Sequence, residues 1–201
     1  MAEADREKWN AIYERRGPAV AKPAAFLEEA REVLPPGGAA LDLAGGRGRN
    51  ALWLAGRGFD VTLADISAVA LEHAQASASA AGLSLSTVEI DLDTISDDAD
   101  GRDHDPLGRS WDVVLLFHFL DRALLATISR LLVPGGVLLF CQPTVRNLEA
   151  HERPSRRFLL EEGELETLLD PSLEIVSLVE DWSSEGRHEA RLVARRRAPL
   201  S

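Results

Sequence analysis

Short apolar runs alternate along the chain with stretches of helical periodicity that end at glycine or proline. The run Trp111–Phe117 (WDVVLLF) is almost continuously apolar, which is typical of a parallel strand covered on both faces. The predicted strands are Ala39–Ala44, Phe59–Asp65, Leu83–Ile90, Trp111–Phe117, Val137–Cys141, Leu173–Glu180 and His188–Arg197. The predicted helices are Asp5–Arg16, Ala24–Leu34, Asn50–Arg57, Ala68–Ala81 with Ser67 as its cap, Asp121–Leu132 and Glu161–Leu169.

Regular alternation of strands and helices predicts right-handed βαβ units and an α/β fold. We expect a Rossmann-like, doubly wound seven-stranded sheet that is mostly parallel, with an antiparallel last strand. The chain is interpreted as one domain, residues 1–201, with a helical cap over 1–36 and the Rossmann-like core over 37–201. Ligands of such sheets bind beyond the carboxyl ends of the strands, so the residues at those ends are the candidate site.

Composition narrows the functional classes. The chain has 201 residues, of which 45% are hydrophobic and 27% charged, a globular balance. Its single cysteine excludes an internal disulfide framework, and its net charge of -11 disfavours nucleic-acid binding. No apolar run is long enough to span a membrane, and the charged start of the chain does not resemble a secretory signal. We therefore expect a cytoplasmic protein that binds neither membranes nor nucleic acid; the oligomeric state stays open.

A glycine turn follows the first predicted strand. Gly45, Gly46 and Gly48 stand where that strand gives way to a helix, and glycine allows positive φ angles and close approach of a ligand to the backbone. The residues at the helix start offer free N–H groups to an anionic group. Asp65 ends the second strand, where a carboxylate can accept hydrogen bonds from both hydroxyls of a ribose. Together these features predict a cofactor that contains a nucleoside.

Two kinds of nucleoside cofactor fit this turn. Gly46–Ala51 matches the G-x-G-x-x-A form of the dinucleotide fingerprint, which leaves a nicotinamide cofactor open. Asp42, just before the turn, would repel a pyrophosphate and suits a cationic ligand. Asp91 ends the third strand, where it can meet the edge of a base. A Leu-x-Pro-Gly-Gly turn at Leu132–Gly136 and two further strands complete the pattern.

This combination resembles the class I S-adenosylmethionine-dependent methyltransferases. Leu41–Gly48 matches the family's acid–hydrophobic–Gly-x-Gly-x-Gly turn, except that Ala44 replaces the first glycine. Asp65 matches the acid that binds the ribose, Asp91-Leu92 matches the pair at the adenine, and Pro134–Gly136 matches the turn before the fifth strand. The likeness covers about residues 39–197. The resemblance implies S-adenosyl-L-methionine as cofactor, S-adenosyl-L-homocysteine as product, and methyl transfer as the activity.

A narrower likeness concerns the acceptor. Gly48–Ala51, the entry helix with Trp9-Asn10…Tyr13, and Phe158…Glu162–Leu165 resemble the tellurite-resistance (TehB-like) and thiopurine-type methyltransferases. That branch implies in-line transfer to a small nucleophile such as a thiol or a chalcogen oxyanion. The small-molecule acceptor is therefore the expected partner, and its identity is not readable from the sequence.

Within this resemblance, Asp42 would hold the ammonium of the methyl donor and Arg16 its carboxylate. Trp9 and Tyr13 would cover the sulfonium through cation–π attraction, or else pack the first helix onto the domain. The predicted cofactor-binding residues are Asp42, Ala44, Gly45, Gly46, Gly48, Asn50, Asp65, Ile66, Asp91, Leu92, Phe117, Trp9, Tyr13 and Arg16.

Residues for the acceptor carry weaker signals. His118 follows the fourth strand and is the candidate base, with a structural histidine as the alternative. Arg156 and Arg157 lie in a loop with further basic residues and are candidate contacts to an anionic substrate. The alternative is that they are paired with nearby acids.

Cys141 is interpreted as a core residue. No spaced set of His and Cys ligands is visible, so no metal site is expected. The further basic residues are Arg146, His151 and Arg153.

Three hypotheses remain open at this stage. The first is a methyltransferase that acts on a small molecule, and the second is a nicotinamide-dependent oxidoreductase. The third is a non-catalytic module that binds S-adenosylmethionine.

Overall fold

A computed structural model describes residues 2–19, 21–92 and 107–198. Most of the segment Asp91–Arg109, interpreted from its aspartates as an acidic solvated loop, lies outside the described residues.

The described residues form one seven-stranded sheet in the order β3-β2-β1-β4-β5-β7-β6. Strand β7 runs antiparallel to both β5 and β6, whereas the other pairings are parallel. This topology confirms the predicted sheet and its antiparallel last strand. The strands are β1 (Ala39–Leu43), β2 (Asp60–Asp65), β3 (Ser86–Glu89), β4 (Trp111–Phe117), β5 (Leu132–Pro143), β6 (Leu173–Trp182) and β7 (His188–Arg196).

In the described residues, helices connect β1 to β2, β2 to β3 and β4 to β5, and helices cover both faces of the sheet. Ser67 caps the longest connecting helix, where its Oγ accepts a hydrogen bond from the N–H of Ala70 over 3.1 Å, as the sequence predicts. In the described residues, no helix combines the length and apolar character needed to span a membrane. The helices are α1 (Ala2–Arg16), α2 (Ala25–Glu29), α3 (Arg49–Ala55), α4 (Ala68–Ala80), α5 (Arg122–Thr127) and α6 (Glu164–Leu168).

Two predicted helices are shorter than expected and continue as 3₁₀ turns. Helix α2 gives way to a 3₁₀ turn at Ala30–Val33. The turn ends at Leu34, which is extended because a residue before proline disfavours the α conformation. Helix α5 gives way to one at Ile128–Leu131. There the hydroxyl of Thr127 donates back to the carbonyls of the preceding turn and competes with the helical pattern.

Strand β5 starts earlier than predicted. The sequence predicts a turn before the strand at Pro134–Gly136, but these residues lie within β5. They form an irregularity at which the register with β4 shifts. Gly135 has a φ of 83°, and no ordinary strand residue adopts this angle.

Two apolar layers flank the sheet. One contains the inward faces of β4 and β5 with α5 and α6, and the other joins α2, α3 and α4 to the opposite face. Helix α1 lies outside both layers and packs on α4. Strand β6 forms one edge of the sheet and leaves Ile175, Val176, Val179 and Trp182 exposed.

Candidate active site

The turn after β1 is built around left-handed backbone. Gly46 and Gly48 have φ angles of 57° and 74°, and Gly48 precedes the first turn of α3. The N–H of Gly48 donates to the carbonyl of Gly45 over 3.0 Å, which closes the turn. Ala44, at the place of the motif's first glycine, also adopts a left-handed conformation with a φ of 50°. We call the region bounded by Gly45–Gly48 and Asp65 the glycine-turn crevice.

Asp42 lies fully buried at the floor of this region. Its Oδ2 accepts a hydrogen bond from the N–H of Ala51 over 3.1 Å, whereas its Oδ1 is buried and has no hydrogen-bond partner among the described residues. Burial raises the pKa of Asp42 from 3.8 to about 7, and the bond from Ala51 opposes the shift. An unpaired buried carboxylate oxygen is costly, so this atom is suited to receive a donor from a ligand.

Asp65 closes the other side of the crevice. Its Oδ2 accepts from the N–H of Gly46 over 2.8 Å and its Oδ1 from the N–H of Ser67 over 2.9 Å. Burial raises its pKa, opposed by these bonds and one from the backbone of Ile66. The carboxylate is therefore held at the crevice edge with its orientation fixed by the backbone.

Helix α1 lies over the glycine turn. A Cβ atom placed on Gly46 would come within 2.5 Å of the Tyr13 hydroxyl oxygen. Burial, and next the charge of Asp65, raise the pKa of Tyr13 to about 12. The Tyr13 ring stacks on Trp9 with 5.8 Å between ring centroids. A ligand that lies on Gly46 therefore contacts Tyr13 or moves it.

Polar contacts hold α1 in this place. Asn10 accepts a 2.7 Å hydrogen bond from the hydroxyl of Ser67, and the guanidinium of Arg47 donates to the carbonyl of Gly17 over 2.6 Å. Arg6 pairs with Glu89 at the far end of the helix, with 3.0 Å between Nε and the carboxylate. Asn10 belongs to the entry-helix motif of the sequence and Arg47 to the glycine turn, but neither motif predicts these anchoring contacts.

The remaining predicted cofactor residues lie at different depths. Asn50 is buried, and its side-chain oxygen accepts from the N–H of Ala24, so it ties α2 to α3. Phe117 is buried at the end of β4 and stacks on Phe26 with 5.7 Å between ring centroids.

Of the other predicted cofactor residues, Leu92 packs in the core. Ile66 and Asp91 are half-buried, and Arg16 is exposed near Tyr13.

His118 meets two buried side chains at the carboxyl ends of β4 and β5. Its φ is 61°, which is unusual for a residue with a Cβ, and its Nε2 lies 2.8 Å from Oε1 of Glu189. The Sγ atom of Cys141 lies 4.0 Å from the same nitrogen. Burial, and next Glu189, raise the pKa of the Cys141 thiol well above its usual range. Glu189 is a neighbour that sequence reasoning missed, because no motif marks it.

The basic loop after β5 is largely paired with acids. Arg156 contacts Glu161 over 2.7 Å and Arg146 contacts Glu149 over 3.0 Å, and all four side chains are exposed. Arg157 lies over the ring of Phe158. These contacts are with the loop itself and not with the glycine-turn crevice. The other two basic residues, His151 and Arg153, are also exposed.

The donor set of the crevice fits a nucleoside with a cationic group. Asp42 offers an unpaired buried carboxylate oxygen, and Asp65 offers a second, fixed carboxylate next to bare glycine backbone. Two adjacent carboxylates do not suit a pyrophosphate. This chemistry favours S-adenosylmethionine over a dinucleotide.

Comparisons with known proteins agree with this assignment. Residues 40–136 match a family model described as a methyltransferase domain. Among curated proteins, none has a significant sequence match to this chain. The matched segment runs from β1 to the start of β5 and contains the whole glycine-turn crevice.

Solved structures share the fold at low sequence identity. One, from work on the conversion of a disulfide bond into a thioacetal group during echinomycin biosynthesis, has a TM-score of 0.73 and 21% identity, over 98% of this chain and 93% of that one. TehB from Haemophilus influenzae has a TM-score of 0.66 and 17% identity, over 94% of this chain and 67% of that one. An S-adenosylmethionine-dependent methyltransferase from Clostridium acetobutylicum has a TM-score of 0.64 and 17% identity, over 86% of this chain and 90% of that one. These findings confirm the fold and support the predicted enzyme class and cofactor.

Proposed function

We propose that this chain transfers a methyl group from S-adenosylmethionine, in line, to a small nucleophile such as a thiol or a chalcogen oxyanion. The observation that carries the proposal is the buried carboxylate of Asp42. It lies against Gly45 of the glycine turn, has one oxygen with no hydrogen-bond partner among the described residues, and is near a second fixed carboxylate, Asp65. A positively charged ligand that also carries a ribose uses both groups.

The chain's own residues have separate roles in binding. Asp65 accepts hydrogen bonds from the ribose hydroxyls, and the glycine turn allows the ligand to approach the backbone. Asp42 receives the ammonium, directly or through water, and Arg16 balances the carboxylate. Asp91 and Leu92 meet the adenine, and Tyr13 and Trp9 cover the ligand from α1.

S-adenosylmethionine supplies an activated methyl group and a neutral leaving group, so the protein has to align the reactants and exclude water. Orientation alone lowers barriers of this kind by ~7–11 kcal/mol. Helix α1 contributes through its position over the crevice, because a ligand held beneath Tyr13 is shielded from solvent. His118, next to the end of β4, is the candidate to receive a proton from a protic acceptor.

A soft, small acceptor is supported by two similarities. The sequence resembles the TehB-like and thiopurine-type branch, and the fold is shared with TehB and with the protein linked to conversion of a disulfide bond into a thioacetal group. Arg156 and Arg157 are proposed contacts for an anionic acceptor, although Arg156 must first release Glu161.

Isothermal titration of the purified chain with three ligands tests the cofactor. S-adenosylmethionine and S-adenosylhomocysteine are expected to bind with one ligand per chain, and NADH is expected not to bind. Binding of NADH alone would reject the proposal in favour of the oxidoreductase, which the Gly46–Ala51 pattern also fits.

A labelled-methyl assay then tests the reaction, with thiols, selenite, tellurite, phenols and amines as acceptors. Transfer to a thiol or a chalcogen oxyanion is expected, and Asp65→Asn serves as the variant impaired in cofactor binding. Intact S-adenosylhomocysteine binding with no transfer to any acceptor would overturn methyl transfer to small soft nucleophiles and leave a binding module.

A further inference from the structure

Three side chains with metal-binding atoms converge beside the carboxyl ends of β4 and β5. They are His118, Cys141 and Glu189, which we call the His118 cluster. One nitrogen, one sulfur and one carboxylate oxygen from these residues all lie within 4.8 Å of one another. Cys141 is the only cysteine of the chain.

Neighbouring strands fix the positions of the cluster. Cys141 lies in β5 opposite Phe117 of β4, and Glu189 lies in the adjacent strand β7 opposite Pro143. The N–H of His118 donates to the carbonyl of Cys141 over 2.8 Å, which holds the histidine backbone against β5. Ligands on adjacent strands of one sheet keep their spacing better than ligands on loops.

The spacing of the cluster is close to that of a tetrahedral zinc site. Two nitrogen or oxygen ligands of such a site lie ~3.3 Å apart, and a nitrogen and a sulfur ligand ~3.6 Å apart, given bonds of ~2.0 and ~2.3 Å. The corresponding separations are 2.8 Å for His118 to Glu189 and 4.0 Å for His118 to Cys141. Side-chain shifts of less than ~1 Å therefore convert the hydrogen-bonded cluster into a coordination sphere.

Burial and access also fit an ion. Cys141 is 1% exposed and the side chain of Glu189 is 4% exposed, whereas the side chain of His118 is 29% exposed and offers a path from solvent. The cluster borders a cavity of about 10 Å³ beneath Ala24 and Phe26, close to the smallest volume that holds one water molecule. A water molecule bound there would supply a fourth ligand to an ion held by the three side chains.

We propose that His118, Cys141 and Glu189 bind a zinc ion with one open position. On binding, Cys141 releases its thiol proton to solvent and coordinates as the thiolate, and the metal replaces the hydrogen bond between His118 and Glu189. Three protein ligands of mixed nitrogen, sulfur and oxygen type, with a water-sized vacancy, are the pattern of open rather than closed zinc sites. The cluster lies outside the glycine-turn crevice, so this inference goes beyond cofactor binding and methyl transfer and does not depend on them. It gives His118 a different role, because an Nε2 atom bound to zinc cannot also accept the proton of an acceptor.

Cobalt(II) titration of the untagged, chelator-treated full chain tests this directly. A tetrahedral site with one thiolate gives a sulfur-to-cobalt charge-transfer band and intense visible d–d bands. Because the chain has a single cysteine, such a band can only report Cys141. We expect saturation at one cobalt per chain and displacement of the cobalt by one equivalent of zinc.

Three variants separate a coordinated site from adventitious binding. Glu189→Gln and His118→Asn should each weaken zinc binding more than ~100-fold. Mutation of a residue that only hydrogen-bonds to a metal ligand already lowers metal affinity ~10–100-fold, and these two residues are proposed ligands themselves. Asparagine tolerates the left-handed backbone at position 118, which favours correct folding of that variant. His151→Ala removes an exposed histidine whose Nε2 lies 2.6 Å from the carbonyl oxygen of Gly186, outside the His118 cluster, and should leave zinc affinity unchanged.

Absence of the charge-transfer band at saturating cobalt would overturn the proposal. So would zinc affinity that is the same in wild type, Glu189→Gln and His118→Asn, once circular dichroism shows that the variants are folded. None of these readouts requires S-adenosylmethionine, and failure here therefore leaves the proposed methyl transfer untouched.

Discussion

Asp65 and Gly46 are joined by a hydrogen bond in which the glycine N–H donates to Oδ2 of the carboxylate over 2.8 Å. The bond connects the end of β2 to the turn after β1. It orients the carboxylate before any ligand arrives, so little ordering is left to be done on binding. The position of Asp65 is thus set by the same backbone that the proposed nucleoside cofactor would approach.

Asp65→Asn should raise the dissociation constant for S-adenosylhomocysteine about 10- to 100-fold, since hydrogen bonds to charged groups are worth ~1.5–3 kcal/mol. Isothermal titration measures it. Asp60→Asn, at the opposite end of the same strand and paired with Arg109 on the surface, is the matched control and should bind like wild type. Equal affinities for Asp65→Asn and Asp60→Asn would reject the ribose contact.

Asp42 should make the stability of the protein depend on pH. Its pKa rises from 3.8 to about 7 on folding, because burial disfavours the charged form. The folded state therefore binds this proton more tightly than the unfolded state does. The contribution of the proton to the free energy of unfolding is fully present below pH 3.8 and is lost as the pH rises through about 7. Asp42→Asn has no such proton and should lack this decline.

Urea unfolding at about pH 5 and about pH 8 measures the effect. At 1.36 kcal/mol per pKa unit, the decline in the free energy of unfolding should be on the order of 3 kcal/mol larger in wild type than in Asp42→Asn. Parallel pH profiles for the two proteins would show that Asp42 does not titrate in this range.

Tyr13 should distinguish the charged methyl donor from its neutral product. If its ring covers the sulfonium, Tyr13→Leu loses a cation–π attraction of ~0.5–2 kcal/mol, which is a roughly 2- to 30-fold loss of S-adenosylmethionine affinity. S-adenosylhomocysteine carries no sulfonium, so its affinity should change much less. Titration of both ligands against Tyr13→Leu and Tyr13→Phe measures the difference.

Tyr13→Phe keeps the ring and should retain the preference of wild type for the charged ligand. A loss of affinity in Tyr13→Leu that is equal for both ligands would mean that Tyr13 acts only by packing α1 over the glycine turn.

Ala44→Gly should stabilise the protein. Ala44 has a φ of 50°, and a left-handed conformation costs a residue with a Cβ ~1–2 kcal/mol, whereas the added freedom of glycine in the unfolded chain costs ~0.5–1 kcal/mol. A net gain of about 0.5–1 kcal/mol in the free energy of unfolding is expected from the difference. Chemical denaturation measures it.

The matched control for this change is Ala126→Gly, in the exposed part of helix α5. There the same substitution removes a good helix former and should lower the free energy of unfolding of the protein by about 0.5–1 kcal/mol. If both substitutions destabilise to the same extent, the backbone at Ala44 carries no strain.

Much of the fold and of the crevice is predictable because its signals are local. Strand β4 has the predicted bounds Trp111–Phe117, since a continuous apolar run can only be satisfied by burial on both faces. Asp42 and Asp65 are found from their places at strand ends, and parallel strands bring such ends to one edge. Local side-chain hydrogen bonds changed the details, as at Thr127, whose hydroxyl donates to the carbonyls of the preceding turn near the end of α5.

Other parts depend on contacts distant in sequence. Tyr13 reaches Gly46 only because Asn10 and Arg47 anchor α1 on the domain, and periodicity does not give the direction in which an appended helix packs. The His118 cluster was missed for a related reason. Its members come together because β7 inserts between β5 and β6, and no spacing in the chain encodes that insertion.

Strand β6 has a consequence for how copies of this protein meet. It forms the outer margin of the sheet, with apolar side chains exposed along it and with Glu174, Glu180 and Asp181 as its only charged residues. Two such margins brought side by side would set acids against acids, which opposes lateral growth of the sheet from one molecule into the next. That protection is electrostatic, and dissolved salt weakens it, because exposed charges farther apart than the Debye length of ~10 Å at 0.1 M are largely screened.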